Sequence, residues 1–193
     1  MAKRVAALFI DGWADWEAGP ALAGLREWLG VETLSATLDG GPVRSIGGLL
    51  LQPDKALGDL DPLDADLWIL VGSDSWAKGP FAPVTSLLQA RAAAGKPSAG
   101  ICAGTVALAA AGLLDDRPHT SNSQEFLQHH VPGYRGQALY QDRPCISDPL
   151  VITAPGTAPI AFAAAIFRAV VPDQEAVTVE FERQFAREHA AAH

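Results

Sequence analysis

The sequence predicts an α/β chain: an open, mostly parallel sheet with helices on both faces. Three observations carry that prediction. Short apolar runs alternate with helical patterns along the 193 residues. The runs are continuously apolar, as strands buried on both faces require. Most of them stop at a glycine, aspartate or proline turn.

Val5–Ile10 is the first run, stopped by Asp11-Gly12. A helix follows with Leu22, Leu25, Trp28 and Leu29, and Gly30 is its C-terminal signal. Pro20 is expected near the start of this helix, because an interior proline costs about 3 kcal/mol. Val31–Thr37 is the second strand. Val43–Leu51 reads as a hairpin that turns at Gly47-Gly48. Asp66–Val71 is another buried strand, ended by Gly72. Val84–Ala94 is helical until Gly95-Lys96-Pro97 breaks it. Ser98–Ile101 is a short strand, and Gly104–Leu114 is the helix after it. His129 and His130 end a polar helix before Pro132-Gly133, and Leu139-Tyr140 reads as an edge strand. Leu150–Ala154 is a further strand, and Pro155-Gly156 turns into a buried helix from Ala158. A polar-faced helix with Val177, Val179, Phe181 and Phe185 runs from Gln174 to about His189. Sheets of this kind hold ligands at the carboxyl ends of their strands, near the switch in strand order. Glu17, Gly72, Cys102 and Gly156 all follow strand ends and so belong to one edge.

Length and a 49% apolar content fit one domain over residues 1–193. The formal charge of −8 argues against a nucleic-acid partner, and no basic stripe is present. Two cysteines at unrelated spacing make neither a disulfide framework nor a zinc site. No metal cluster or phosphate-cradling glycine loop occurs, so no cofactor is expected. Val5–Ile10 is shorter than a signal h-region, and no apolar stretch is long enough to span a bilayer. The expected compartment is the cytoplasm, with no membrane partner.

Cys102 is the strongest site signal, in Gly100-Ile101-Cys102-Ala103-Gly104-Thr105. A sharp strand-to-helix turn among small residues lifts one side chain clear of the backbone. The pattern reads like a nucleophile elbow with sulfur in place of oxygen. The helix beginning near Ala103 aims its N–H groups and positive end at the sulfur. That is expected to lower the thiol pKa from about 8.5 toward neutrality. Cys145, in Pro144-Cys145-Ile146, has no elbow and reads as a packing residue. Taken alone, Glu17 is an acid near a helix start, and Asp15 a cap or solvated residue.

Three segments together carry a family resemblance: Asp11-Gly12-Trp13-Ala14-Asp15-Trp16-Glu17, Gly100-Ile101-Cys102-Ala103-Gly104, and Ile152-Thr153-Ala154-Pro155-Gly156-Thr157-Ala158. In order and spacing the chain resembles the ThiJ/PfpI superfamily, from Val5 to about Val171. That group includes the parkinsonism-associated deglycase and shares the fold of class I glutamine amidotransferases. The resemblance implies a flavodoxin-like three-layer sandwich. It implies that Glu17 reaches the cysteine sulfur as a protonated carboxyl, and that His119 serves as acid or base for the thiol. It implies an oxyanion hole from backbone N–H groups around Gly72, Ser73 and Ala103. Ser73 stands where the family commonly has a second glycine; it disfavours a positive φ and adds a hydroxyl. The resemblance also implies a homodimer through the first helix region. Trp13 and Trp16, beside the site, suit an interface or a pocket wall.

Ala103 follows the cysteine where the family's peptidases place a histidine, which weakens a peptidase reading. No His-x-Glu pair occurs, which disfavours a glutaminase. The leading expectation is a stress-response enzyme in which Cys102 adds to a small reactive carbonyl such as a 2-oxoaldehyde. One alternative is a non-catalytic redox sensor with an oxidisable Cys102. Another is a small-molecule hydrolase, hydratase or amidotransferase-like protein.

Overall fold

A computed structural model describes residues 3–79 and 82–190. Among them, β1 (Arg4–Leu8), β2 (Glu32–Thr37), β5 (Lys55–Ala56), β6 (Leu67–Leu70), β7 (Ser98–Ile101), β8 (Ile146–Ser147) and β9 (Val151–Ala154) form one sheet. Its order is β5-β2-β1-β6-β7-β9-β8. All neighbours are parallel except β8, which pairs antiparallel with β9. The five longer parallel strands run in the flavodoxin-like order, with the switch between β1 and β6. β3 (Val43–Arg44) and β4 (Leu50–Leu51) form a separate antiparallel hairpin, with Gly48 at φ +90° in its turn.

The continuous apolar runs follow from burial on both sides. Val5, Ala7 and Phe9 enter one core layer, while Ala6, Leu8 and Ile10 enter the other. Leu67, Ile69 and Val71 alternate in the same way with Trp68 and Leu70. Each large apolar side chain so buried contributes about 1.5–3 kcal/mol. α1 (Asp15–Glu27) and α5 (Pro159–Val170) cover one face, and α6 (Glu175–Ala190) packs on α5. α2 (Ala82–Ala93) and α3 (Gly104–Ala110) cover the other. Gly24 lets α1 approach α5 closely, since a Cβ there would lie 2.3 Å from the Phe167 ring. α4 (Gln124–His130) is the expected polar helix, capped by the Ser123 hydroxyl. Among the described residues no helix is long and apolar enough to cross a membrane.

Four details depart from the pattern reading. Pro20 lies inside α1 rather than near its start, because the helix already begins at Asp15. Its ring deprives the Trp16 carbonyl of the usual helical donor. α3 ends at Ala110, not Leu114. Gly112 at φ +74° closes it, with its N–H on the Ala109 carbonyl and the Leu113 N–H on that of Leu108. Leu139 lies in a short 3₁₀ turn and Tyr140 makes only an isolated bridge to His119, so that segment is not a strand. β5 and β8 were not expected: two-residue edge strands are too short for a periodic signal.

Candidate active site

The carboxyl ends of β1, β6, β7 and β9 converge on one edge. Cys102 follows β7 at φ +54° and is the one non-glycine residue at positive φ among the described residues. A left-handed conformation costs a residue with a Cβ about 1–2 kcal/mol, so the surroundings must enforce it. They do so with named bonds. The Cys102 N–H donates to the Ala154 carbonyl at 2.9 Å, and its own carbonyl accepts from the Thr105 hydroxyl at 2.6 Å. That hydroxyl also meets the Ser121 hydroxyl at 2.7 Å. Gly104 completes the turn, since a Cβ there would lie 2.2 Å from the Leu70 carbonyl oxygen.

Glu17 sits in the first turn of α1 and is fully buried. Its Oε2 accepts from the Gly72 N–H at 2.8 Å, while its buried Oε1 makes no hydrogen bond to nitrogen or oxygen among the described residues, which leaves the Cys102 thiol as the carboxyl's other neighbour. The free oxygen and the sulfur face the same space. A Cβ on Gly156 would lie 2.8 Å from Glu17 Oε1 and 3.0 Å from Cys102 Sγ. Gly72 closes the pair from the other side, where a Cβ would come within 2.7 Å of the Cys102 Cβ.

Asn122, which no motif in the sequence marks, touches the sulfur. Its Nδ2 donates to Cys102 Sγ at 3.1 Å, and its Oδ1 accepts from the Gly156 N–H at 3.0 Å. Its one available signal was a polar side chain in the same loop as His119, carrying both donor and acceptor. Trp16 donates its Nε1–H to the Gly156 carbonyl at 2.9 Å. Together with Pro155, Thr157 and Pro159 it walls a cleft of about 630 Å³ over Cys102 and Glu17.

Burial and mutual charge govern the two acids. Burial pushes the Glu17 carboxyl up from 4.5 to about 7, opposed by hydrogen bonds from the Cys102 thiol and the Gly72 N–H. Burial, then the Glu17 charge, push the Cys102 thiol up to about 11, opposed by the Asn122 amide and the Ala103 N–H. Burial of the sulfur beside Glu17 thus works against the lowering expected from helix placement alone. Protonation of Glu17 removes the opposing charge and turns its carboxyl into a donor toward sulfur. The sulfur's ionisation thus depends on where one shared proton sits.

The remaining expected residues separate into two groups. Ala103 sits beside the sulfur through its N–H, and Gly72 lines the pair, but its N–H is engaged by Glu17. Ser73 is extended at φ −159°, so no positive φ is required of it. Its hydroxyl donates to the Asp11 carbonyl at 2.6 Å and caps the following 3₁₀ turn rather than entering the cleft. His119 is fully buried, with Nδ1 on the Arg117 carbonyl at 2.9 Å and Nε2 on the Tyr134 hydroxyl. Burial pushes its pKa down. Both its ring nitrogens are engaged away from the thiol, and its loop reaches the sulfur through Asn122. Trp13 is buried against Phe9, which leaves Trp16 as the indole on the cleft. Asp15 caps the hairpin turn by accepting from the Gly47 N–H. Cys145 is half-buried with its thiol pushed up to about 12 by burial.

Residues 3–169 match the DJ-1/PfpI family, to which this chain belongs. It is 29% identical over 173 residues to the Bacillus subtilis (strain 168) "Uncharacterized protease YoaZ", covering 86% of this chain and 82% of that one. It is 32% identical over 164 residues to "Uncharacterized protease YdeA" of the same organism, covering 83% and 79%. The crystal structure of DJ-1 superfamily protein Atu0886 from Agrobacterium tumefaciens superposes with a TM-score of 0.86 at 39% identity, over 97% of this chain and 99% of that one. A thiJ/pfpI family protein from Bacillus anthracis gives 0.80 at 29% identity, over 87% and 82%.

Proposed function

We propose that this DJ-1/PfpI chain is a cofactor-independent enzyme that converts small 2-oxoaldehydes to 2-hydroxy acids through Cys102. The observation that carries the reading is a strained, half-buried sulfur sharing a closed corner with a buried carboxyl oxygen that has no other partner. In the first step sulfur bonds to the aldehyde carbon, the thiol proton passes to Glu17, and Glu17 returns it to the new alkoxide. The product is a hemithioacetal. Glu17 then takes the proton from that carbon and delivers it to the neighbouring carbonyl carbon, while the neighbouring oxygen and the hemithioacetal oxygen exchange a proton. The resulting 2-hydroxy thioester is hydrolysed by water, which releases the acid and restores the thiol. The net change is addition of one water to the oxoaldehyde. A carboxyl with a pKa raised toward 7 suits both directions of transfer near neutral pH.

The names of the two Bacillus subtilis relatives raise a peptidase reading. It lacks a histidine for the thiol, because both ring nitrogens of His119 are held elsewhere. The redox-sensor reading draws on the same half-buried sulfur and its Asn122 donor. Methylglyoxal turnover to lactate is the test. Activity that falls at least a thousandfold in Cys102→Ser and in Glu17→Gln supports the proposal. Absence of turnover, with selective peroxide oxidation of Cys102 seen by intact mass, favours the sensor; cleavage of a peptide panel favours the peptidase. The same reading has the protein working as a homodimer through the first helix region, to which the hairpin is tied by the Gly47 N–H on Asp15. Ile46, Leu49 and Leu50, each 60% exposed on the hairpin, offer apolar surface for that association.

A further inference from the structure

We propose that the cleft over Cys102 selects uncharged aldehydes bearing an aromatic or branched apolar group, and that Trp16 is the residue that recognises that group. The inference names the substrate class of the site and rests on the reading of Cys102 as a nucleophile toward small carbonyls.

Two features of the cleft point this way. The first is its charge. Glu17 is the one carboxylic acid in the lining, beside the Cys102 thiol, and among the described residues no lysine, arginine or histidine contributes to the walls. A carboxylate or phosphate on the substrate would meet no cation there, and the chain as a whole carries a formal charge of −8. The helix ends nearby do not reverse this: α3 starts at the sulfur itself, where the Ala103 N–H already acts on Cys102 and meets the reacting carbonyl end rather than its substituent. The start of α1 already carries Asp15 and Glu17 in its first turn. The start of α5 has Pro159, which lacks an N–H, and the Ala158 N–H is bonded to the Pro155 carbonyl.

The second feature is the shape of the wall. Trp16 remains 52% exposed although it is among the largest apolar side chains of the chain. It is not loose: its Nε1–H is fixed on the Gly156 carbonyl, one residue from the Pro155 ring. An indole held edge-on to the backbone offers a flat face at low entropic cost to a second ring or a branched alkyl group. Pro155 and Pro159 supply further rigid apolar surface. Of the polar lining groups, Asn122 and Glu17 are gathered at the sulfur, where the carbonyl end of such a molecule must sit, and the Thr157 hydroxyl is the one uncharged polar group left on the wall among the described residues.

The test separates recognition from turnover by using alkylating reagents. The whole chain is treated at one pH with iodoacetamide, N-phenyl-iodoacetamide and iodoacetate. The rate at Cys102, read by peptide mass, is divided by that of the neutral thiol 2-mercaptoethanol. The expected result is iodoacetate at least tenfold slower than iodoacetamide, and the phenyl reagent at least fivefold faster. Trp16→Ala should erase the phenyl advantage. Trp16→Phe, which keeps a flat wall without the indole donor, should retain most of it. In parallel, phenylglyoxal should exceed methylglyoxal in kcat/KM, and Trp16→Ala should lower the phenylglyoxal value about tenfold through KM. Iodoacetate reacting as fast as iodoacetamide, or a phenyl advantage that survives Trp16→Ala or is lost equally in Trp16→Phe, would overturn the proposal. If the alkylation selectivity holds and neither aldehyde is consumed, the recognition proposal stands and the catalytic reading fails.

Discussion

Glu17 is buried with no cation beside it among the described residues, so its ionisation opposes folding. Its folded pKa lies near 7 against an ordinary 4.5, so between those values the native state holds the extra proton. Stability must then fall as pH rises through that window, by on the order of 3 kcal/mol in total. Glu17→Gln should melt higher than the parent at pH 8 and at a similar temperature at pH 4. Equal melting points at pH 8 would show that the carboxyl is not penalised. Asn122 acts in the opposite sense on its neighbour, since its amide favours the ionised sulfur. Asn122→Ala should slow Cys102 alkylation at pH 7 by about fivefold, the worth of one hydrogen bond of about 1 kcal/mol. An unchanged rate would remove Asn122 from the site. Cys102 was legible because its small neighbours have few other uses at a strand end. Asn122 was not, because a polar residue in a loop looks the same whether it faces solvent or a thiol.

The elbow between β7 and α3 is where backbone crowding creates reactivity. Gly104→Ala would press a methyl group into the Leu70 carbonyl and should cost about 3 kcal/mol in urea melts. Gly156→Ala pushes instead between Glu17 Oε1 and Cys102 Sγ. It should depress Cys102 alkylation more than tenfold while lowering stability by less than Gly104→Ala; the reverse order would contradict the packing described. These glycines were visible as turn signals, and the strands as unbroken apolar runs. The extent of α3 was read too long because its alanine and leucine pattern continues past Gly112, where the backbone turns left-handed. The placing of Pro20 failed for a related reason. Tertiary burial of Ala18, Ala21 and Leu25 holds α1 helical through a residue that local propensity would exclude.

Across the whole molecule, the flavodoxin-like order brings the segments that follow β1, β6, β7 and β9, up to 139 residues apart from Glu17 to Gly156, to one edge. The hairpin leaves Ile46, Leu49 and Leu50 in solvent. A homodimer that buries them should give twice the chain mass by light scattering at micromolar concentration, and Leu49→Glu should shift it toward the monomer. A monomer mass for the parent protein would refute that association.

Hydrophobic periodicity, turn residues and the elbow motif, all local in the chain, were enough to determine the α/β architecture and to mark Cys102. The family resemblance added Glu17. Only the tertiary structure decided which groups face the sulfur. His119 and Asn122 lie three residues apart in one loop, yet one is locked between the Arg117 carbonyl and Tyr134 while the other reaches Sγ. Side-chain direction and ionisation depend on partners distant in sequence and on the water that packing removes, and neither is encoded in a short stretch of chain.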